Sequence, residues 1–476
     1  MRAIVPVLLA VPLSSAACGK KHSSDNSGDS TTENPTTSAS DGSTSIDETS
    51  ATSQIIIDRA TTSGTYRDVI GLNKAPRGTD SQALGANKYE ISQLYKIIGV
   101  STVRTLDSYF DICEVYTDDT VTNATNNQTL TNCVNTQGTH ATWASNNSGA
   151  NLGNGIKYNF TTVDSGLDAI YNSGASIYYR MGENNNGPND TTDFSGWATV
   201  GTNIYKHISG QGGGFGNTPS HTVTTNYIEL TNEPDGSFWM GSQSNYFSLY
   251  NTAFDTVRAV APASVKIGGP AFTTNFQTHL GISSNPAANF VSSVGSSRLD
   301  FISTHVYGSC ESATLSEMIN NISFLRSYMN SNGLSTKPII VSEWNIGLNC
   351  SSETSFHSAR AQSFNGAMMA MMQDSSLNIE KAMIYGGFGN MAFFTVDQSN
   401  PGTVTIYPGA WAMRAHMQLA GGTLLSLKVC DKSNANCQSG TGMINAEIIG
   451  SAVASGSQVK VALSNDSAAA KTTALH

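Results

Sequence analysis

The amino-acid sequence predicts an α/β protein, a closed (β/α)8 TIM barrel that carries a small accessory β-sandwich. Short β-rich runs alternate with helical patterns along the middle of the chain, and eight such runs can be counted. Alternation of strands and helices is typical of parallel sheets, and eight repeats favour a closed barrel. A doubly wound open sheet is the alternative, although no GxGxxG motif follows the first strand.

The eight predicted strands are short and rich in β-branched or aromatic residues. They cover residues 68–73 (DVIGLN), 100–107 (VSTVRTLD), 175–183 (ASIYYRMGE), 226–233 (NYIELTNE), 265–272 (VKIGGPAF), 299–307 (LDFISTHVY), 338–345 (PIIVSEWN) and 381–388 (KAMIYGGF). A typical helical segment, residues 244–260, places Phe247, Tyr250, Phe254 and Val257 at near-helical spacing. Ser244 is the predicted N-cap of that helix.

The N-terminus has the pattern of an export signal. One Arg, a short apolar run and small residues precede Cys18, and SAAC is similar to the lipobox of bacterial lipoproteins. We therefore interpret residues 1–21 as a signal peptide and lipobox region, with lipidation at Cys18. Residues 22–53 are rich in Ser, Thr and acidic residues and cannot bury enough apolar surface to fold, so they are predicted to be a disordered linker. The expected location is a lipoprotein anchored at the cell envelope, with simple secretion as the alternative.

The accessory β-sandwich is predicted from the two segments that flank the barrel. Residues 54–66, with the run QIIID, precede the barrel, which is expected to span residues 67–420. Residues 421–476 contain LLSLKVC, AEIIGSAV and QVKVALS, which are typical of strands joined by polar turns. Because the sequence stops at KTTALH without an evident terminal element, the sandwich is not necessarily complete.

The cysteines fit an exported protein. The chain has seven cysteines, so an even number remains when Cys18 is set aside, as expected for disulfides in an oxidising compartment. Proximity in sequence suggests the pairs Cys113–Cys133, Cys310–Cys350 and Cys430–Cys437, although sequence alone does not fix the connectivity. No CxxC or clustered Cys/His spacing indicates zinc, and no metal or other cofactor is predicted.

Composition restricts the partners. The chain has 476 residues, of which 39% are hydrophobic, enough for a large core. Only 13% of residues are charged and the net charge is -10, so no basic surface is available for nucleic acid. The expected partner is a neutral polymer, and membrane contact is expected only through the lipid on Cys18.

Two glutamates lie where predicted strands end. Glu233 ends the fourth strand and Glu343 ends the seventh. In a (β/α)8 barrel the C-terminal ends of the strands meet at one face, so these carboxyl groups are expected to face each other across one opening. Such a pair can cleave a glycosidic bond, because one carboxyl protonates the leaving oxygen while the other attacks or shields the developing cation.

The motifs TNEPDGSFW, VKIGGPAF, LDFISTHVYG and IIVSEWN occur in this order. Together they resemble glycoside hydrolase clan A, and most of all glycoside hydrolase family 39, which includes β-xylosidases and α-L-iduronidases. The resemblance covers residues 67–420. It implies a retaining glycosidase acting on oligo- or polysaccharides, with Glu233 as acid/base and Glu343 as nucleophile. The charge of Glu343 is expected to keep Glu233 protonated. A catalytically inactive carbohydrate-binding protein on the same barrel is the alternative.

The sequence departs from the family at two positions. Leu106 stands where a histidine commonly lines the sugar pocket, and Thr231 replaces a larger residue before Asn-Glu-Pro. Both departures leave the two glutamates intact. They make the identity of the sugar unpredictable.

Further residues are candidate substrate contacts. Asn232 is expected to hydrogen-bond the sugar hydroxyl beside the reacting carbon, with a turn or cap residue as the alternative. Arg104 is expected to help keep Glu343 ionised, with an ordinary structural ion pair as the alternative. The resemblance implies that Tyr307 hydrogen-bonds the nucleophile, with His305 on the same face as a substrate contact or a buried, satisfied histidine. Weaker candidates for binding sugar, each with a solvated-loop or core-packing alternative, are Glu183, Asp107, Trp239 and Trp344.

Overall fold

The computed structural model describes residues 9–12, 53–76, 91–106, 110–112, 116–118, 156–158, 160–182, 194–211, 218–236, 238–239, 241–273, 290–348, 350, 352, 355–387, 391–396, 404–431, 436–439, 448–465 and 473–475. Its strands, in chain order, are β1 (Leu9–Pro12), β2 (Ser53–Thr65), β3 (Ile70–Asn73), β4 (Thr102–Arg104), β5 (Tyr116–Asp118), β6 (Ile156–Tyr158), β7 (Ser176–Met181), β8 (Thr225–Leu230), β9 (Lys266–Phe272), β10 (Ile302–Tyr307), β11 (Ile339–Asn345), β12 (Ile379–Ile384), β13 (Phe394–Val396), β14 (Val404–Ile406), β15 (Thr423–Asp431), β16 (Cys437–Gln438), β17 (Ile448–Ser455), β18 (Gln458–Asn465) and β19 (Thr473–Leu475). Its α-helices are α1 (Ser92–Ile98), α2 (Thr161–Ser173), α3 (Phe194–Ile208), α4 (Gln243–Arg258), α5 (Phe290–Val294), α6 (Leu315–Ser331), α7 (Ala359–Met371) and α8 (Pro408–Met417).

Eight strands form a closed barrel. Their order around the barrel is β3-β4-β7-β8-β9-β10-β11-β12, with β12 pairing back to β3. All eight pairings are parallel. Each of the eight predicted segments overlaps one of these strands, so the predicted (β/α)8 barrel is confirmed.

The barrel interior is filled in its lower half by apolar side chains. Tyr178, Tyr227, Phe301, Ile340 and Met383 form one buried cluster. The rings of Tyr178 and Phe301 meet edge to face, with centroids 6.0 Å apart, an arrangement favoured for aromatic pairs. The barrel interior is therefore a packed core, and this apolar cluster forms a floor beneath the polar residues around Arg104.

Helix α4 shows how local sequence sets an element boundary. The Ser242 side chain accepts a hydrogen bond from the Asn245 N–H, so Ser242 is the N-cap and the predicted cap at Ser244 is wrong. Ser242 has the extended backbone that a cap needs, whereas Ser244 already lies inside the first helical turn. Phe247 is half-buried and packs against the main core cluster.

The flanking segments form the accessory β-structure. Its described strands belong to one hydrogen-bonded sheet in the order β1-β18-β17-β15-β2-β19, with β16 beside β15. Strand β2 pairs antiparallel with β15, so the segment that enters the barrel is joined to the segment that leaves it. The sheet also lies against helix α7, where the Ser363 hydroxyl donates to the Asn465 carbonyl.

Two predicted disulfides are present. Cys310 and Cys350 are bonded with their Cα atoms 5.5 Å apart, and Cys430 is bonded to Cys437. The first bond joins the loops that follow β10 and β11, and Gly347 lies against it so closely that a Cβ there would come 2.4 Å from the Cys310 sulfur. Cys113, Cys133 and Cys18 lie outside the described residues.

Strand β1 lies within the segment predicted to be a signal peptide and pairs with β18. Among the described residues, no helix has the length and apolar character needed to cross a bilayer. Export and lipidation therefore remain predictions.

Candidate active site

The first carboxylate lies on a turn with an unusual backbone. Strand β8 ends at Leu230, and both Thr231 (φ 73°) and Glu233 (φ 43°) adopt the left-handed conformation that non-glycine residues rarely adopt. Neighbouring groups hold this turn, because the Glu233 N–H donates to the Ala271 carbonyl at 3.0 Å. Such strain persists where surrounding contacts fix it, and it is common at functional sites.

The second carboxylate, Glu343, is held by two donors. Arg104 Nη1 donates to Glu343 Oε1 at 2.7 Å, and the Tyr307 hydroxyl donates to Oε2 at 2.7 Å. Burial and the charge of Glu343 raise the pKa of Tyr307 well above its usual value, so this hydroxyl keeps its proton. Both oxygens of Glu343 are thus fixed by hydrogen bonds, which restricts the orientation of the carboxylate.

His305 lies between the two carboxylates. Its Nδ1 atom is 2.6 Å from Glu233 Oε1 and 3.5 Å from Glu343 Oε2. Burial alone would lower the pKa of His305, but the charges of Glu343 and Glu233 raise it. Burial alone would raise the pKa of Glu233, but the charge and hydrogen bond of His305 lower it. Glu233 and His305 are therefore best described as a coupled pair that shares one proton.

This geometry corrects one expectation. The sequence predicted that the charge of Glu343 keeps the proton on Glu233 itself. In the structure His305 is close to both carboxylates, so the charge of Glu343 favours the proton on the imidazole of His305 instead. The acidic proton of the site is carried by the pair rather than by Glu233 alone.

The carboxylates of Glu233 and Glu343 are close together. One oxygen of Glu233, one oxygen of Glu343 and one ring nitrogen of His305 all lie within 4.8 Å of one another. These atoms are of the type that bind metals, but Glu233 and His305 are in direct contact at 2.6 Å, and Arg104 adds a positive charge beside Glu343. The contacts favour proton chemistry over cation binding.

Beneath the carboxylates, Arg104 is fully buried among acceptors. It donates from Nε to Glu229 at 2.7 Å, from Nη1 to Asn73 at 2.9 Å and from Nη2 to Asn232 at 2.7 Å, besides its bond to Glu343. Burial would lower the pKa of Arg104, but the charges of Glu229 and Glu343 raise it, so the guanidinium stays charged.

Six predicted site residues come together at the C-terminal ends of the barrel strands: Glu233, Glu343, Asn232, Arg104, His305 and Tyr307.

Trp344 does not lie with these six residues. It is fully buried in the core, and the prediction that it binds sugar is wrong, because successive strand residues face opposite sides and Glu343 already faces the barrel interior. Trp239 is half-buried and its indole N–H donates to the Ser242 carbonyl. Glu183 and Asp107 lie outside the described residues.

Sequence reasoning missed Glu229 and Asn73. Glu229 is a fully buried carboxylate in the middle of β8, and Asn73, at the end of β3, orients Arg104 while its amide donates to the Ser342 carbonyl at 2.8 Å. A signal for Glu229 was present, since a glutamate within the apolar run YIEL needs a buried partner.

Paired carboxylates at the strand ends of a (β/α)8 barrel are typical of enzymes that cleave glycosidic bonds. The chain is a member of glycosyl hydrolases family 39, whose family model matches residues 143–402. It is therefore a glycosidase with a carbohydrate substrate. No curated protein matches its sequence.

Solved structures share the fold at low sequence identity. A glucosidase from Croceicoccus marinus is 18% identical with a TM-score of 0.60, over 87% of this chain and 78% of that one. A GH39 enzyme from Xanthomonas axonopodis pv. citri is 15% identical with a TM-score of 0.57, over 86% and 74%. An α-L-arabinofuranosidase from Thermotoga maritima is 12% identical with a TM-score of 0.58, over 87% and 85%. At these sequence identities the matches show a common fold alone. The activities named for the glucosidase and the arabinofuranosidase differ from each other.

Proposed function

We propose that this glycosidase is a retaining enzyme that cleaves O-glycosidic bonds of oligo- or polysaccharides by double displacement, with Glu343 as nucleophile and Glu233 as acid/base. The observation that carries the proposal is the approach of one oxygen from each carboxylate to within 4.8 Å. Retaining enzymes have carboxyl groups about 5–5.5 Å apart, whereas inverting enzymes separate them by about 6.5–9.5 Å to admit a water molecule.

In the first step Glu343 attacks the anomeric carbon. A bond forms between a Glu343 oxygen and this carbon, the bond to the leaving oxygen breaks, and that oxygen takes the proton shared by Glu233 and His305. Glu233 is the member that delivers it, because its side chain is 19% exposed whereas His305 is fully buried. Arg104 and Tyr307 hold Glu343 in place for the attack.

In the second step water releases the sugar. The pair has given up its proton, so Glu233 can accept one from water as the water oxygen attacks the anomeric carbon. The bond to Glu343 breaks, its carboxylate is restored, and two inversions give net retention. Asn232 contributes through its amide, since Arg104 binds its Oδ1 and leaves Nδ2 as the group that can donate to a sugar hydroxyl.

The stereochemical course tests this proposal. A panel of aryl glycosides and polysaccharides would first identify a cleaved substrate, and proton NMR would then follow the first-formed product. We expect the anomeric configuration of the substrate. A first product of inverted configuration would contradict the proposed mechanism.

We also propose that the enzyme is exported and anchored through lipid on Cys18. The signal pattern before Cys18, the linker after it and the Cys310–Cys350 and Cys430–Cys437 disulfides support this location. Cys18→Ala is expected to move the protein from the membrane fraction to the soluble fraction, while Ser23→Ala in the linker should leave it membrane-bound. Unchanged fractionation of the Cys18→Ala protein would rule out the anchor.

A further inference from the structure

Glu229 is a buried charge that the proposed mechanism does not use. It lies on β8 four residues before Glu233, with no exposed surface. Arg104 separates it from the nucleophile, because the same guanidinium binds Glu229 Oε2 through Nε and Glu343 Oε1 through Nη1, each at 2.7 Å. The Arg104 guanidinium therefore binds two carboxylates, and of these only Glu343 faces the substrate in the proposed mechanism.

Glu229 is fixed from below as well. The Tyr178 hydroxyl donates to Glu229 Oε1 at 2.7 Å, and the Tyr178 ring belongs to the apolar floor of the barrel. Burying a carboxylate carries a large desolvation penalty, and well-packed apolar residues often replace a buried ion pair without loss of stability. A contribution to stability therefore does not account for the presence of a buried carboxylate at Glu229.

We propose that Glu229 is a positioning residue that acts through Arg104: it directs the guanidinium toward Glu343 and Asn232, and its negative charge sets the pH at which the Glu233–His305 pair loses its proton. This inference rests on the proposed retaining mechanism, in which that pair must carry a proton at the start of each turnover.

The charged groups around the pair determine the direction of the effect. The charged groups that act on His305 are Glu233, Glu343 and Arg104. Tyr307 is hydrogen-bonded to Glu343. The groups that act on Glu229 are Arg104, Tyr178 and His305. Burial would raise the pKa of Glu229, but Arg104 lowers it, so Glu229 is ionised. Replacing this carboxylate by a neutral amide removes one negative charge from the cluster. The positive charge of Arg104 then acts more strongly on His305, and the pair should lose its proton at lower pH.

The test is the pH dependence of kcat/KM for Glu229→Gln. We expect the basic limb to move to lower pH by about one unit, the scale of one charge at this range in a protein interior. A residue that only stabilises the fold would lower the rate or the melting temperature and leave the limb in place. A basic limb at the wild-type position in a folded Glu229→Gln enzyme would overturn the proposal.

Glu380→Gln is the matched control. Glu380 also pairs with a cation and a tyrosine, since Lys266 Nζ lies 2.6 Å and the Tyr227 hydroxyl 2.8 Å from its Oε1. These residues lie near the N-terminal ends of the barrel strands, opposite the catalytic carboxylates. This variant is expected to lose stability and to keep the wild-type pH profile, and a matching shift in both variants would overturn the proposal.

Tyr178→Phe supplies a second test if Glu229→Gln does not fold. It keeps every formal charge and removes only the hydroxyl that partly neutralises Glu229, so the basic limb should move in the opposite direction, to higher pH by a few tenths of a unit. A limb that stays in place or moves to lower pH would count against the proposal. Failure of the retaining mechanism itself would appear separately, as an inverted first product.

Discussion

Glu343→Ala is expected to lower kcat by about 10⁴-fold or more, because removal of an attacking group from a set of residues that act together leaves only binding and electrostatic contributions. Added azide should restore turnover. The missing carboxylate leaves room next to the anomeric carbon, and azide can attack from that side. The product should then be a glycosyl azide of inverted configuration, whereas the wild-type enzyme is expected to release a sugar of retained configuration.

The azide experiment needs a protein that is known to be folded. The contacts of Glu343 with Arg104 and Tyr307 are lost in the variant, so its melting temperature should be compared with that of wild type. Glu380→Gln serves as a second glutamate substitution that should retain activity. A Glu343→Ala enzyme with a near-normal rate in the absence of azide would assign the nucleophile to another residue.

Glu233→Ala should show a loss that depends on the leaving group. General acid catalysis contributes about 10²–10⁴-fold, so substrates with a poor leaving group should lose about that much in kcat/KM. Aryl glycosides whose phenol needs no protonation should form the glycosyl-enzyme at a rate close to that of wild type. The second step lacks its base, so the intermediate should accumulate and a burst of phenol should precede slow turnover.

The pH profile gives an independent check on Glu233. We expect wild-type activity to fall at high pH as the Glu233–His305 pair loses its proton, and the charges of Glu343 and Glu233 raise the pKa of His305. Glu233→Ala removes the delivering group, so the basic limb of kcat/KM should disappear for activated substrates. An equal loss for good and poor leaving groups would show that Glu233 is not the acid.

The barrel and the meeting of Glu233 and Glu343 at its strand ends could be predicted because they depend on local patterns. Strand periodicity and repeat number gave the topology, and the rule that active sites lie at strand ends then selected Glu233 and Glu343. The same alternation explains why Trp344 is not at the site. Glu343 faces the barrel interior, so the next residue of β11 faces outward and is buried in the core.

The contacts of His305 could not be predicted in the same way. The pairing of β10 with β11 shifts register between Thr304 and His305, which brings His305 opposite Glu343. Such an irregularity arises from packing around the whole barrel and leaves no periodic signal in the sequence. The four acceptors around Arg104 come from several different strands, so their convergence on one guanidinium appears only when the barrel is closed.

The pairing of β2 with β15 has a consequence for how the chain is made. Thr65 lies immediately before the barrel and Thr423 shortly after its last helix, and the two are register partners. Contacts so distant in sequence form slowly, because a long loop must close before they contribute. Because β2 precedes the barrel and β15 follows it, we expect the edge of β2 to stay unpaired during synthesis until the barrel residues between them have been made. An unpaired strand edge can associate with other chains, so this interval is when a nascent molecule is most exposed to aggregation.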